Sequence, residues 1–113
     1  MHAIEPFQIK QGSRLPVIQR YLLDSDGRPI PVPSQGVAFH VRASGAAGAS
    51  LVGSALASIV NVASMSVVYA WDLDDTAAQG AFQGEFEAIY APSQSMRIPD
   101  PGFIPIFIGD AVT

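Results

Sequence analysis

Ala81-Phe82-Gln83-Gly84-Glu85-Phe86-Glu87-Ala88-Ile89-Tyr90-Ala91 decides the fold class. Phe82, Phe86, Ala88 and Tyr90 fall on one side of an extended chain, and Gln83, Glu85 and Glu87 on the other. Side chains of a strand alternate with period two, so this is a strand with one face on a core and one toward solvent. Upstream, Gly36 to Ala43 repeats the pattern: Val37, Phe39 and Val41 alternate with Ala38, His40 and Arg42. Ala55 to Val62 and Ser66 to Asp72 read as the two arms of a hairpin. The second arm sets Val67, Tyr69 and Trp71 on one face, so the single tryptophan is predicted to anchor the core.

Between these segments the chain is heavily punctuated. Nine prolines and ten glycines in 113 residues exclude long helices, because an interior proline costs a helix about 3 kcal/mol. Phe7 to Gln11 and Leu15 to Asp24 are predicted strands. Asp24-Ser25-Asp26-Gly27 is a turn, and Pro29, Pro31 and Pro33 hold an extended connection. Ser44 to Ser54, almost all Ala, Gly and Ser, reads as a loose excursion. Asp74-Asp75-Thr76-Ala77 could open one helical turn capped by an Asp. Pro92 and Ser93 turn the chain, Met96 to Ile98 pair briefly, and Pro99-Asp100-Pro101-Gly102 makes a rigid corner. The last predicted strand, Phe103 to Ile108, is apolar on both faces and carries Pro105. That combination reads as an edge or bulged strand covered from elsewhere, with another subunit as the expected cover. Seven or eight short strands without a long helix, a repeat or a domain break predict one domain, 1–113, folded as an antiparallel β-sandwich.

Composition narrows the function. Charged residues make up 14% of the chain, against roughly 25% in ordinary soluble domains, while 49% are hydrophobic. Part of the surface is therefore expected to be covered by partners. The net charge of -4 and the lack of a basic stripe argue against nucleic-acid binding. No apolar run reaches the length of a membrane span. The start, Met1-His2-Ala3-Ile4-Glu5-Pro6, lacks the basic and apolar regions of a secretion signal, which predicts a chain made in the cytoplasm. There are no cysteines, hence no disulfides or thiolate metal sites.

Catalytic teams are not apparent. His2 and His40 are the only imidazoles, and both read as surface or interface residues. Asp24 and Asp26 resemble the opening of a calcium loop, but Arg28 and Pro29 follow and no Glu closes it. Asp72, Asp74 and Asp75 read as a capped turn. Glu85 and Glu87 point the same way from one strand and read as solvated-face residues. No enzyme activity, cofactor or metal is expected.

The order of segments carries a resemblance. Phe7-Gln8-Ile9-Lys10-Gln11-Gly12-Ser13-Arg14-Leu15-Pro16 comes first, followed by Leu22-Leu23-Asp24-Ser25-Asp26-Gly27-Arg28-Pro29-Ile30. Then come Val37-Ala38-Phe39-His40-Val41-Arg42, Val67-Val68-Tyr69-Ala70-Trp71 and Gly80-Ala81-Phe82-Gln83-Gly84-Glu85-Phe86-Glu87. Pro99 and Gly102 precede the last strand. From about Phe7 to Asp110 this resembles the small immunoglobulin-like structural domains of tailed bacteriophages, in particular the N-terminal domain of the upper baseplate protein family. The resemblance implies an immunoglobulin-like sandwich that docks on neighbouring virion proteins in several copies or as a homo-oligomer, in the baseplate, tail, neck or capsid decoration. The residues expected to dock are Ile4, Phe7, Phe103, Ile104 and Phe107, whose apolar side chains have least internal justification. The competing expectation is a host-surface receptor- or carbohydrate-binding module, for which Tyr21 and Phe103 are the candidate aromatics.

Overall fold

The predicted central strand is also the hub of the structure. A computed structural model describes residues 6–43, 50–72, 74–98 and 103–109. In it, Gly80–Ala91 forms β6, after β1 (Phe7–Lys10), β2 (Ile18–Tyr21), β3 (Val37–Ala43), β4 (Ser50–Asn61) and β5 (Ser66–Tyr69), and before β7 (Gln94–Ile98) and β8 (Ile104–Gly109). The described residues contain no helix.

One side of β6 is lined by β3, antiparallel, from Val37 opposite Ala88 to Ala43 opposite Phe82. The other side is divided. β8 lies against residues 80–84 and β7 against residues 86–91. β1 extends the sheet beyond β8, and β4 extends it beyond β3. The second half of β4 then leaves β3 and pairs with β5, which pairs with β2. Two layers result, β1-β8-β6-β3-β4 and β4-β5-β2, with β4 as their shared margin. The Greek-key order is that of an immunoglobulin-like sandwich: β2, β5 and the end of β4 form one layer, and the start of β4, β3, β6 and β8 the other.

The facing sides meet in an aromatic core. The Phe39 ring lies 4.7 Å from Phe86, 4.8 Å from Tyr69 and 5.8 Å from Trp71, centroid to centroid. Phe7 closes the group, 5.7 Å from Trp71. Trp71 is buried, as its alternation predicts, although it lies just past the end of β5. In the β4–β5 turn, Met65 adopts φ 50°, a left-handed conformation that disfavours most side chains. Its side chain is fully buried and its carbonyl accepts the Leu22 N–H at 2.9 Å, so core packing holds the strained residue in place.

Several expectations are corrected. The sheet is mixed rather than antiparallel, because β1 runs parallel to β8. Strands from opposite ends of the chain have no hairpin to impose an antiparallel sense. The last strand is not at an edge: β6 covers one side and the chain's own β1 the other, so no second subunit is needed there. Pro105 is accommodated because pairing with β1 begins one residue later, at Ile106. Ser50 to Ser54, assigned to the loose excursion, belong to β4, where the ladder to β3 overrides their weak local preference; residues 44–49 lie outside the described ones. The strand expected over Leu15 to Asp24 contracts to Ile18–Tyr21, and residues 74–76 form a turn rather than a helical one.

Candidate functional site

Of the aspartates weighed as metal ligands, Asp24 and Asp75 use their carboxylates to hold backbone N–H groups of their own turns. Asp24 Oδ1 accepts the N–H groups of Asp26 and Arg28 at 2.9 and 3.0 Å, around Gly27 at φ 79°. This is an Asp-closed turn. Asp75 Oδ2 accepts the Tyr69 hydroxyl at 2.5 Å and the Asp72 N–H at 2.7 Å. Burial, then the Asp75 carboxylate, push the Tyr69 phenol above its ordinary value. Next to Asp75, buried Thr76 donates to the Ser13 carbonyl at 2.7 Å and ties this turn to the loop after β1. Among the described residues, no three His, Cys, Asp or Glu gather to hold a metal ion.

The outward face of β6 is less wet than its sequence suggests. β7 sets Arg97 opposite Glu87. Arg97 Nη1 bonds Glu85 Oε1, and Nη2 lies 3.7 Å from Glu87 Oε1. From β3, His40 Nε2 donates to Glu87 Oε1 at 2.9 Å. The two glutamate side chains are only 15% and 18% exposed. They form a cross-strand lattice of pairs rather than a solvated stripe. Arg97 was the available signal, one alternation step from Ile98 in the segment expected to pair briefly. A bond from Ser95, then one from His40, hold the Glu87 carboxyl below its ordinary 4.5. A carboxyl depressed by folding contributes stability above about pH 4.5 and loses it as pH falls through the lower folded value. Glu87→Gln is therefore expected to lessen the drop in urea midpoint between neutral and acidic pH. An unchanged drop would contradict the pairing.

The expected docking residues are not gathered in one place. Phe7 and Ile104 are buried and belong to the core. Phe103 is half-buried, with the Arg42 guanidinium 5.0 Å above its ring. Ile4 lies outside the described residues. Among the described ones, Phe107 is the residue that points outward, 44% exposed, while Ile104, Ile106 and Ile108 turn inward. The sequence reading missed its neighbour. Leu15, 74% exposed, shares with Phe107 and Pro16 the lining of an open groove of about 500 Å³, rimmed by Gln8, Lys10 and Ser13. Leu15 also borders a second open groove of about 550 Å³, with Arg14, Val17, Ala70 and Trp71. Among the described residues, the buried Trp71 Nε1 atom has no hydrogen-bond partner. Leu15 was read as the start of a strand. The Gly12-Ser13 and Leu15-Pro16 punctuation marks it instead as a loop residue.

An open groove lined by exposed Leu15 and Phe107 together with Gln8, Lys10 and Ser13 has the mixed apolar and polar anatomy of a protein-docking surface. Small-molecule sites instead enclose most of their ligand. No protein-family model, curated protein sequence or solved structure matches the chain.

Proposed function

We propose that this chain is a non-enzymatic structural subunit of a tailed-phage particle that docks on neighbouring virion proteins. The observation that carries the docking reading is the Leu15–Phe107 pair: two large, exposed apolar side chains that line one open groove on a well-packed sandwich. Isolated exposed apolar residues are ordinary, but a pair lining one groove marks an interaction surface. The low charge content agrees with a partly covered surface. The assignment to a virion rests on the order of sequence segments that resembles phage immunoglobulin-like domains.

The competing receptor- or carbohydrate-binding reading calls for exposed aromatics grouped on one surface. Tyr21 is exposed on β2, but the Phe103 ring is occupied by Arg42. Mass spectrometry and negative-stain microscopy of purified particles test the virion reading: the chain should be present at stoichiometric copy number, and its absence from mature particles would sink the idea. Phe107→Asp should leave stability within about 0.5 kcal/mol of wild type, the range of surface substitutions. A thermal melt checks this, and a collapse of the transition would make Phe107 a core residue.

A further inference from the structure

Lys10 is the only lysine of the chain, and it lines the groove that holds Phe107. Arg14 lines the neighbouring groove that holds Trp71, and Leu15 belongs to both. Among the described residues of either lining, these two are the only charged ones. A chain of net charge -4 thus lines both grooves with cations alone. Both side chains are exposed, and neither is ion-paired among the described residues. Other cations are occupied within the fold. Arg97 pairs with Glu85 and Glu87, and Arg42 covers the Phe103 ring.

The turn between Lys10 and Arg14 is tied down at several points. The Ser13 N–H donates to the Lys10 carbonyl at 3.0 Å. Fully buried Thr76 accepts the Gly12 N–H at its carbonyl, at 2.9 Å, and donates its hydroxyl to the Ser13 carbonyl at 2.7 Å. A surface held in this way loses less freedom when a partner binds.

The geometry points to an acidic, apolar peptide segment of a neighbouring protein as the occupant of the grooves around Leu15. This inference depends on the docking reading of Leu15 and Phe107 and adds the chemistry of the partner. The partner's apolar side chains pack on Leu15 and Phe107, and its flanking carboxylates lie against Lys10 and Arg14. Charge complementarity selects it. A basic segment would meet like charge, and an uncharged one would cover both cations without a counter-charge. The net negative charge of the whole chain does not cancel this local attraction, because exposed charges more than about 8 Å apart are largely screened at physiological ionic strength. Larger polyanions fit less well. Anionic membranes are recognised by clusters of roughly 4–8 basic residues, and nucleic acid by a basic stripe that this chain lacks.

The test uses the purified full chain and three short capped peptides: leucines flanked by glutamates, leucines flanked by lysines, and serines flanked by glutamates. The fluorescence of Trp71, the only tryptophan, reports occupancy of the groove it lines. The glutamate–leucine peptide should bind on the order of tenfold more tightly than either of the others and weaken as salt is added. In a Lys10→Glu/Arg14→Glu variant the preference should pass to the lysine–leucine peptide, a gain that misfolding cannot produce. A carbodiimide should join a glutamate of the bound peptide to the Lys10 amine, with the link located by mass spectrometry. Lys10→Arg should bind equally well and lose the link. Equal affinity for all three peptides, an unreversed preference in the charge-swapped variant, or no binding would overturn the inference. So would tighter binding to anionic-lipid vesicles or single-stranded DNA than to the peptide. Unchanged affinity in Leu15→Asp/Phe107→Asp would put the peptide elsewhere and overturn the docking reading as well. Absence of the chain from particles would remove the virion setting and leave the chemistry of the grooves standing.

Discussion

Phe39→Ala is expected to lower the unfolding free energy by about 3–5 kcal/mol, the range for removing a buried phenylalanine. Phe39 lies at the middle of β3 with no exposed surface. Its ring touches one aromatic residue from its own layer, Phe86, and two from the opposite side of the core, Tyr69 and Trp71. Truncation would therefore open a cavity where the two layers meet. Those neighbours are held by separate strands and can collapse only partly into the space. Domains of this size are stable by on the order of 5–15 kcal/mol, so the loss is a large share of the total. Urea denaturation followed by the fluorescence of Trp71, the only tryptophan, measures it directly. The midpoint should fall with the slope unchanged. A loss below about 1 kcal/mol would mean that the core is not centred on this ring.

Gly84→Val tests the same core by overfilling it. A Cβ placed on Gly84 would lie 2.6 Å from Ile106 Cδ1 and 3.4 Å from the Phe39 ring. Gly84 sits on β6 opposite Ile104 of β8 and Val41 of β3, with neighbouring strands on both sides. The backbone conformation is not what requires glycine here. The requirement is space, since Ile106 and Phe39 fill the position a side chain would take. Overpacking of this kind costs about 1–3 kcal/mol. Shortening Ile106 to valine removes the nearest atom, so the Gly84→Val/Ile106→Val pair should be less unstable than the sum of its single changes. Gly109, with nothing among the described residues within 4 Å of its Cβ position, is the control: Gly109→Ala should be nearly neutral. Additive losses at positions 84 and 106 would contradict the close approach.

The two longest alternating segments were legible in the sequence because their period directly reflects burial. β3 and β6 appear where Val37-Phe39-Val41 and Phe82-Phe86-Ala88 place them, and the hairpin ending in Trp71 follows the same logic. What local pattern could not supply was pairing between distant segments. The last strand looked like an edge because Pro105 and its doubly apolar sequence say nothing about β1, which covers it from the far end of the chain. The same blindness sent Phe7 and Ile104 to a docking surface, although each fills the core through that distant pairing. Glu85 and Glu87 were placed on the correct face, but their cover comes from His40 and Arg97 on other strands. Of the expected docking residues that the structure describes, Phe107 is the one that stands exposed, because alternation along β8 turns it away from Ile106 and Ile108. Its companion Leu15 went unrecognised because the two are brought together only by the fold.

Docking through Leu15 and Phe107, separately from the packing that holds the fold, is the central claim. The most direct measurement is competitive incorporation: wild-type and Leu15→Asp/Phe107→Asp chains supplied together during particle assembly, with their ratio in purified particles read by quantitative mass spectrometry. The claim predicts particles strongly enriched in wild type, from a variant that melts like wild type. A variant incorporated in proportion to its supply would contradict it.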